Sequence, residues 1–217
     1  MKTTVPFIWA AFFTFLFLGF SVGVKVYINA SDELQAGEEF FAQNNPQEAV
    51  VHYERAIRWH FPGLGVDGKA ARQIWKIAEN YETAGEAEKA IGAYRILRAG
   101  FYSARSFYTP GKTWINRCNI KIAALMAMGP PVLKADQAKS FAERNAEFLK
   151  ILSTEKPPYP YWSALTVAGF LGWAACAAMF IIKGVGKSGQ IITGKAVYWA
   201  GGFVFSYGLW VLGMVNV

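Results

Sequence analysis

Gly189-Gln-Ile-Ile-Thr-Gly194-Lys195 repeats the first part of a phosphate-binding loop, in which glycines let backbone N–H groups cradle phosphates and a lysine reaches the terminal one. The next residue is Ala196, where a serine or threonine would ligate magnesium, and the segment links two apolar stretches with no strand before it. Nucleotide binding is excluded on these grounds. His52 and His60 lie eight residues apart on one helical stretch, too far for the i, i+4 pairing of two ligands on a helix face, and no other Cys or His cluster joins them. Glu38, Glu39, Glu79, Glu82, Glu86 and Glu88 offer carboxylates, yet at helical spacing they read as a solvated face with i, i+4 partners. No acid–base couple, nucleophile or metal set emerges, so the expectation is a protein that is not an enzyme and holds no cofactor.

The elements that carry these residues divide the chain sharply. Three uncharged stretches, residues 5–24, 161–182 and 196–217, flank a polar middle, residues 29–160, that holds all 15 acidic residues. About 20 apolar residues in a helix cross roughly 30 Å of hydrocarbon, so each stretch is long enough to span a bilayer. The chain carries a net charge of +7, but its middle is nearly balanced; Lys2, Lys25, Lys183, Lys187 and Lys195 outside it supply most of the excess. A basic surface for nucleic acid is therefore absent, and the lysines read as topology determinants. Lys2, Lys183, Lys187 and Lys195 share one side of a three-span chain without an acid, which predicts that side to be cytoplasmic. The middle domain and the C-terminus then lie outside the cytoplasm, in the periplasm of a bacterial cell. A 20-residue first stretch exceeds a signal-peptide core and reads as an uncleaved anchor. Cys118 and Cys176 fall in different regions, so no disulfide framework is expected.

Within the middle, two segments align at a 41-residue offset. Gly37, Phe40, Ala49, Tyr53 and Ala56 correspond to Ala78, Tyr81, Ala90, Tyr94 and Leu97. A small residue on one helix admits a large aromatic from its partner, and the two helices lock at close range. Asn44-Asn45-Pro46 and Ala84-Gly85-Glu86 fit as hairpin turns, and the glycine-rich residues 61–68 accommodate extra length between the copies. These positions resemble the tetratricopeptide (TPR) pattern, over about residues 30–102. The resemblance implies an all-α fold of two TPR-like helical hairpins, a first copy with a close match and a second, looser one.

Two repeats need a neighbour to bury their apolar faces. Thr109-Pro110 predicts a helix start, followed by Trp114, Ile115, Cys118, Ile122, Leu125 and Met126 at helical spacing, with Gly129-Pro130-Pro131 as the stop. Ala138, Phe141, Ala142, Asn145, Phe148, Leu149 and Leu152 mark one face of a second helix. The pair is expected to cap the repeats. The predicted organisation is transmembrane helix 1 over 1–28, two repeats over 29–103, a capping hairpin over 104–156, a proline linker and transmembrane helix 2 over 157–183, a basic loop over 184–195 and transmembrane helix 3 over 196–217.

The resemblance implies a ligand groove lined by the first helix of each repeat: Leu34, Glu38 and Phe41 from copy one, Arg72, Trp75, Glu79 and Glu82 from copy two. Trp75 would anchor a partner if exposed and pack in the core otherwise. Arg72 and Lys76 occupy places where some TPR domains clamp a peptide carboxylate, but copy one lacks the companion residues. The doubled aromatics Phe101-Tyr102 and Phe107-Tyr108 around Arg105 read as a linker plugging the second repeat. In the apolar stretches, Gly19 and Gly23, Ala168 and Gly172, and Gly202 and Ser206 form small-residue pairs that let helices approach closely.

Together these features predict a non-enzymatic, membrane-anchored adaptor or scaffold subunit of a multi-protein inner-membrane complex. Its expected partners are other membrane subunits and lipid, with room for a second copy in the complex. An alternative is an accessory subunit of an ion-driven motor of the TolQ/ExbB type, suggested by similarity of Ala93-Tyr-Arg-Ile-Leu-Arg98 and Arg105-Ser-Phe-Tyr-Thr-Pro110 to TPR proteins of such systems.

Overall fold

The computed structural model describes residues 4–131, 137–154, 159–186 and 190–216, with the side chains of residues 4–12 and 15 excepted. It contains eight α-helices among the described residues and divides into two compact units, residues 1–104 with 109–155, and residues 105–108 with 156–217. Each is described by itself.

The first unit begins with α1 (Thr4–Ala42), a single helix of 39 residues. The sequence suggested a boundary near residue 28. None exists: the helix runs without a break from the apolar stretch into the first helix of the first repeat, about 58 Å at 1.5 Å per residue. α2 (Pro46–Arg58) starts where the Asn45 side chain accepts from Glu48 N at 3.4 Å and Pro46 needs no donor. α3 (Val66–Thr83) and α4 (Ala87–Ser103) make the second hairpin, turned at Gly85 with φ +76°. α3 starts at Val66, so the extra length between repeats is shorter than residues 61–68.

α5 (Lys112–Met128) starts after Gly111, which is left-handed at φ +62°, so the helix boundary lies past Thr109-Pro110. Thr109 and Pro110 are buried, and a Cβ on Gly111 would lie 2.6 Å from Phe101 Cγ. The turn thus closes on the first of the two aromatic pairs. Phe107 and Tyr108 are about half exposed. α6 (Phe141–Ser153) opens with a reciprocal capping box between Ser140 and Glu143, whose carboxylate is held below its usual range by the Ser140 backbone hydrogen bond. Phe148, Leu149 and Leu152 are partly covered, but Phe141 stays half exposed.

The core shows why this arrangement is solenoidal. Tyr53, Tyr94, Ala49, Ala90, Ala56 and Leu97 are fully or almost fully buried in one cluster that continues through Ile115, Cys118 and Ile122 of α5. A Cβ on Gly37 would lie 2.5 Å from Tyr53 Cε1, so the glycine makes room for the ring. Each of α2 to α5 packs on its neighbours in sequence, and α2 also reaches α4. The α5–α6 hairpin packs on the end of the stack through α4.

Burial of these side chains carries a pH consequence. Burial pushes the Tyr53 hydroxyl up to about 12, with the Glu38 carboxylate adding to it, and pushes the Cys118 thiol up to about 12 against the opposing pull of Arg117 and Arg98. Tyr94 moves the same way, first by burial and then by its hydrogen bond to Glu82. Unfolded, the thiol and the phenols titrate near 9.0 and 10.0. A raised folded-state value means that the folded chain holds its proton longer, so this stability is complete below pH 9 and is lost as pH rises towards 12. Thermal melts followed by far-UV circular dichroism should fall steeply above about pH 9, and Cys118→Ala should remove the earliest part of the fall. An unchanged melting temperature up to pH 11 would contradict this burial.

The second unit is a helical hairpin. α7 (Pro160–Met179) continues as a π-helical turn, Phe180–Gly184, and α8 (Thr193–Asn216) returns. The spans Pro160–Gly184 and Thr193–Asn216 are the two helices long and apolar enough to cross a membrane among the described residues, against three expected. The remaining stretch, residues 5–24, lies in α1, where the side chains of residues 5–12 and 15 fall outside the described ones. The link between α7 and α8 closes with an antiparallel bridge from Val185 to Ile191.

Close approach in this hairpin is by glycine. A Cβ on Gly169 would lie 2.7 Å from Trp210 Cα, one on Gly172 2.8 Å from Ser206 Oγ, one on Gly202 2.9 Å from Cys176 Sγ, and one on Gly213 2.8 Å from Thr166 N. Gly172, Ser206 and Gly202 of the expected small-residue pairs thus face within the chain. Ala168 is exposed; its neighbour Gly169 makes the contact instead. An aromatic group of Phe170, Trp173, Phe203, Tyr207 and Trp210 packs alongside.

Candidate functional site

The predicted groove residues lie on α1 and α3, and the structure sorts them by what their side chains already do. Trp75 is 8 % exposed. Its ring packs at a tilt against Tyr94, 4.8 Å between centroids, and against Trp114, 5.9 Å away, so it packs as core and offers little surface to a partner. Glu82 is committed too: its carboxylate accepts from the Tyr94 hydroxyl at 3.0 Å and from Lys121 Nζ at 2.9 Å, tying α3 to α4 and α5. Leu34 is half-buried against the core. Glu38, Phe41, Arg72 and Glu79 are exposed, and these four keep surface for a partner.

One residue was missed. Arg117 on α5 lies with its guanidinium carbon 4.1 Å from the Trp75 ring centroid and 4.7 Å from that of Trp114. The side chain is exposed and makes no hydrogen bond or ion pair among the described residues. Two ring faces hold the guanidinium in place, while its N–H edge stays available for a planar acceptor such as a carboxylate. The signal lies in Trp114 and Arg117, three residues apart on one helix face, but it takes Trp75 from α3 to complete it.

Each histidine pairs with a carboxylate. His52 Nδ1 donates to Glu33 Oε2 at 2.7 Å, pinning α2 to α1, and its ring stacks on Phe40 at 5.0 Å. His60 Nδ1 donates to Asp67 Oδ2 at 2.9 Å across the loop between α2 and α3. No group of three or more His, Cys, Asp or Glu that could hold a metal occurs among the described residues. Gly194 and Lys195 occupy the first turn of α8, while Gly189, the first residue of the phosphate-loop-like run, lies outside the described residues. Gly19 has nothing within 4 Å of an added Cβ, and Gly23 meets only the Phe61 ring, at 3.8 Å.

The candidate surface is formed by Glu38, Phe41, Arg72, Lys76 and Glu79 on the first helices of the repeats together with Arg117 on α5, all exposed. Among known proteins, neither a curated protein nor a solved structure matches the chain. The family model of soluble NSF attachment proteins, SNAP, matches residues 24–143, from the lower end of α1 through α5 and into α6. This is the helical stack just described and more than half of the chain, and the chain belongs to the SNAP family.

Proposed function

We propose that this protein is a non-enzymatic, membrane-anchored adaptor that presents its helical stack to partner subunits of an inner-membrane complex. The observation that carries the reading is α1: one unbroken helix joins an apolar stretch to the first repeat, so partner binding and anchoring are mechanically one piece. On α1 the side chains of Phe13, Phe17 and Phe20 are each more than 60 % exposed, as on a helix surrounded by lipid. α1 then supplies the first of three spans, and the lysine distribution puts the stack on the periplasmic side.

The partner surface is the exposed set Glu38, Phe41, Arg72, Glu79 and Arg117, which carries both charges, and a segment of another subunit that also carries both is its complement. Membership of a family whose name describes attachment proteins fits an interaction role and names no partner for this chain. Purification in mild detergent, with crosslinking and mass spectrometry, should recover further subunits with the full chain. The double variant Arg72→Ala, Arg117→Ala should reduce that recovery roughly tenfold, equivalent to about 1.4 kcal/mol. Its melting temperature should hardly move, because an exposed cation–π contact contributes only about 0.5–1 kcal/mol. Migration of the native protein on blue-native gels as a lone 24.0 kDa chain in its detergent belt would count against an adaptor.

A further inference from the structure

The loop between α2 and α3 folds back onto α1. Phe61 and Leu64 face Leu16, Gly19, Phe20 and Gly23 across an open groove of about 530 Å³, with no charged residue in its lining. We propose that this groove holds one lipid acyl chain, and that residues 61–64 form a second point at which the stack is seated on the bilayer. The inference rests on the reading of α1 as a span.

Depth supports an occupant from the bilayer. Gly23 and Gly19 precede Lys25 by two and six residues, about 3 and 9 Å along the axis at 1.5 Å per residue. Lys25 is the first charge on α1 after the apolar stretch and marks the level where a side chain can reach water. Phe61 and Leu64 therefore lie at or below the headgroup layer, and exposed Tyr27 and Trp59 suit that layer itself. The floor of the groove is low because Gly19 and Gly23 carry no side chain; a Cβ on Gly19 would still touch nothing.

Shape favours a chain of methylenes over a helix. A helix with its side chains is about 10–12 Å across, and one lying on the Gly19–Gly23 face would run into the Phe61 ring, which lies 3.8 Å from where a Cβ on Gly23 would be. A single acyl chain can end beneath that ring.

The test uses the full chain in phosphatidylcholine nanodiscs doped with phosphatidylcholine that carries a diazirine on one acyl chain. After irradiation, trypsin separates residues 3–25, which hold the span, from residues 59–69, which hold the loop. Carbene adducts are expected on both peptides, and Gly19→Leu, which fills the groove without a clash, should cut labelling of 59–69 at least fivefold while leaving 3–25 labelled. Adducts on 3–25 with none on 59–69 would show a groove closed or filled by protein and overturn the proposal. Labelling of 59–69 that Gly19→Leu leaves unchanged would show a surface contact in place of a groove, and overturn it as well. No adduct on 3–25 would instead remove α1 from the bilayer, and the spanning reading with it.

Discussion

Gly37→Leu is expected to destabilise the helical stack by about 3 kcal/mol, the upper end of what overpacking usually costs. The space a side chain would need is already taken. A Cβ alone would lie 2.5 Å from Tyr53 Cε1 and 2.6 Å from Cδ1, and Tyr53 is 1 % exposed, with no free direction in which to swing. Relief requires α1 to move from α2, and α1 cannot tilt locally because it continues unbroken into the apolar stretch. Against a typical total of about 5–15 kcal/mol, such a loss moves a melting transition by many degrees. Gly92→Ala on α4 is the internal comparison: nothing lies within 4 Å of its added Cβ, and alanine should stabilise the helix by up to about 1 kcal/mol. Chemical denaturation of both variants in the same detergent checks the pair. Equal stabilities would mean that Gly37 does not face Tyr53 and that the repeat register is wrong.

That register was legible because it is written in residue volumes. Gly37 with Tyr53, and Ala78 with Tyr94, pair small against aromatic at one spacing, and all four are buried together. What the sequence concealed was continuity and orientation. An apolar span and an amphipathic repeat helix share the 3.6-residue period, so the change of composition near Lys25 resembled a domain boundary while the backbone carried on through it. Thr109-Pro110 has the composition of a helix start, yet left-handed Gly111 is the true boundary, because the chain must first turn beneath Phe101. The candidate site was half legible. Glu38, Phe41, Arg72 and Glu79, which the repeat resemblance placed on one surface, are exposed. Trp75 could not be assigned from its own helix, because what buries it is Trp114 and Arg117 from α5, about 40 residues on. Glu82 likewise reads as a solvated carboxylate until Tyr94 and Lys121 are brought to it.

In the second unit, Gly169→Leu should separate α7 from α8. The neighbouring atoms here are backbone: a Cβ would meet the main chain of Trp210, 2.7 Å from its Cα, and main chain cannot rotate aside as a side chain can. Helices in lipid gain little from burying apolar surface, since lipid tails are as apolar as leucine, so their association depends on close van der Waals packing. Losing that approach removes most of what joins the pair. Cys176 reports on it directly, because its Sγ faces Gly202 across the same interface. Maleimide modification of Cys176 should accelerate about tenfold or more in Gly169→Leu, the change expected if opening becomes easier by about 1.4 kcal/mol. Cys118, fully buried in the other unit with its thiol pushed up to about 12, should stay unmodified and serve as the internal control. Gly208→Leu, with nothing within 4 Å of its Cβ, should leave the rate at the native value. If both variants react alike, the hairpin is not held together through Gly169; if only Gly169→Leu reacts faster, the small residues of α7 and α8 are fastening the chain to itself, and the faces left for partner helices lie elsewhere on the hairpin.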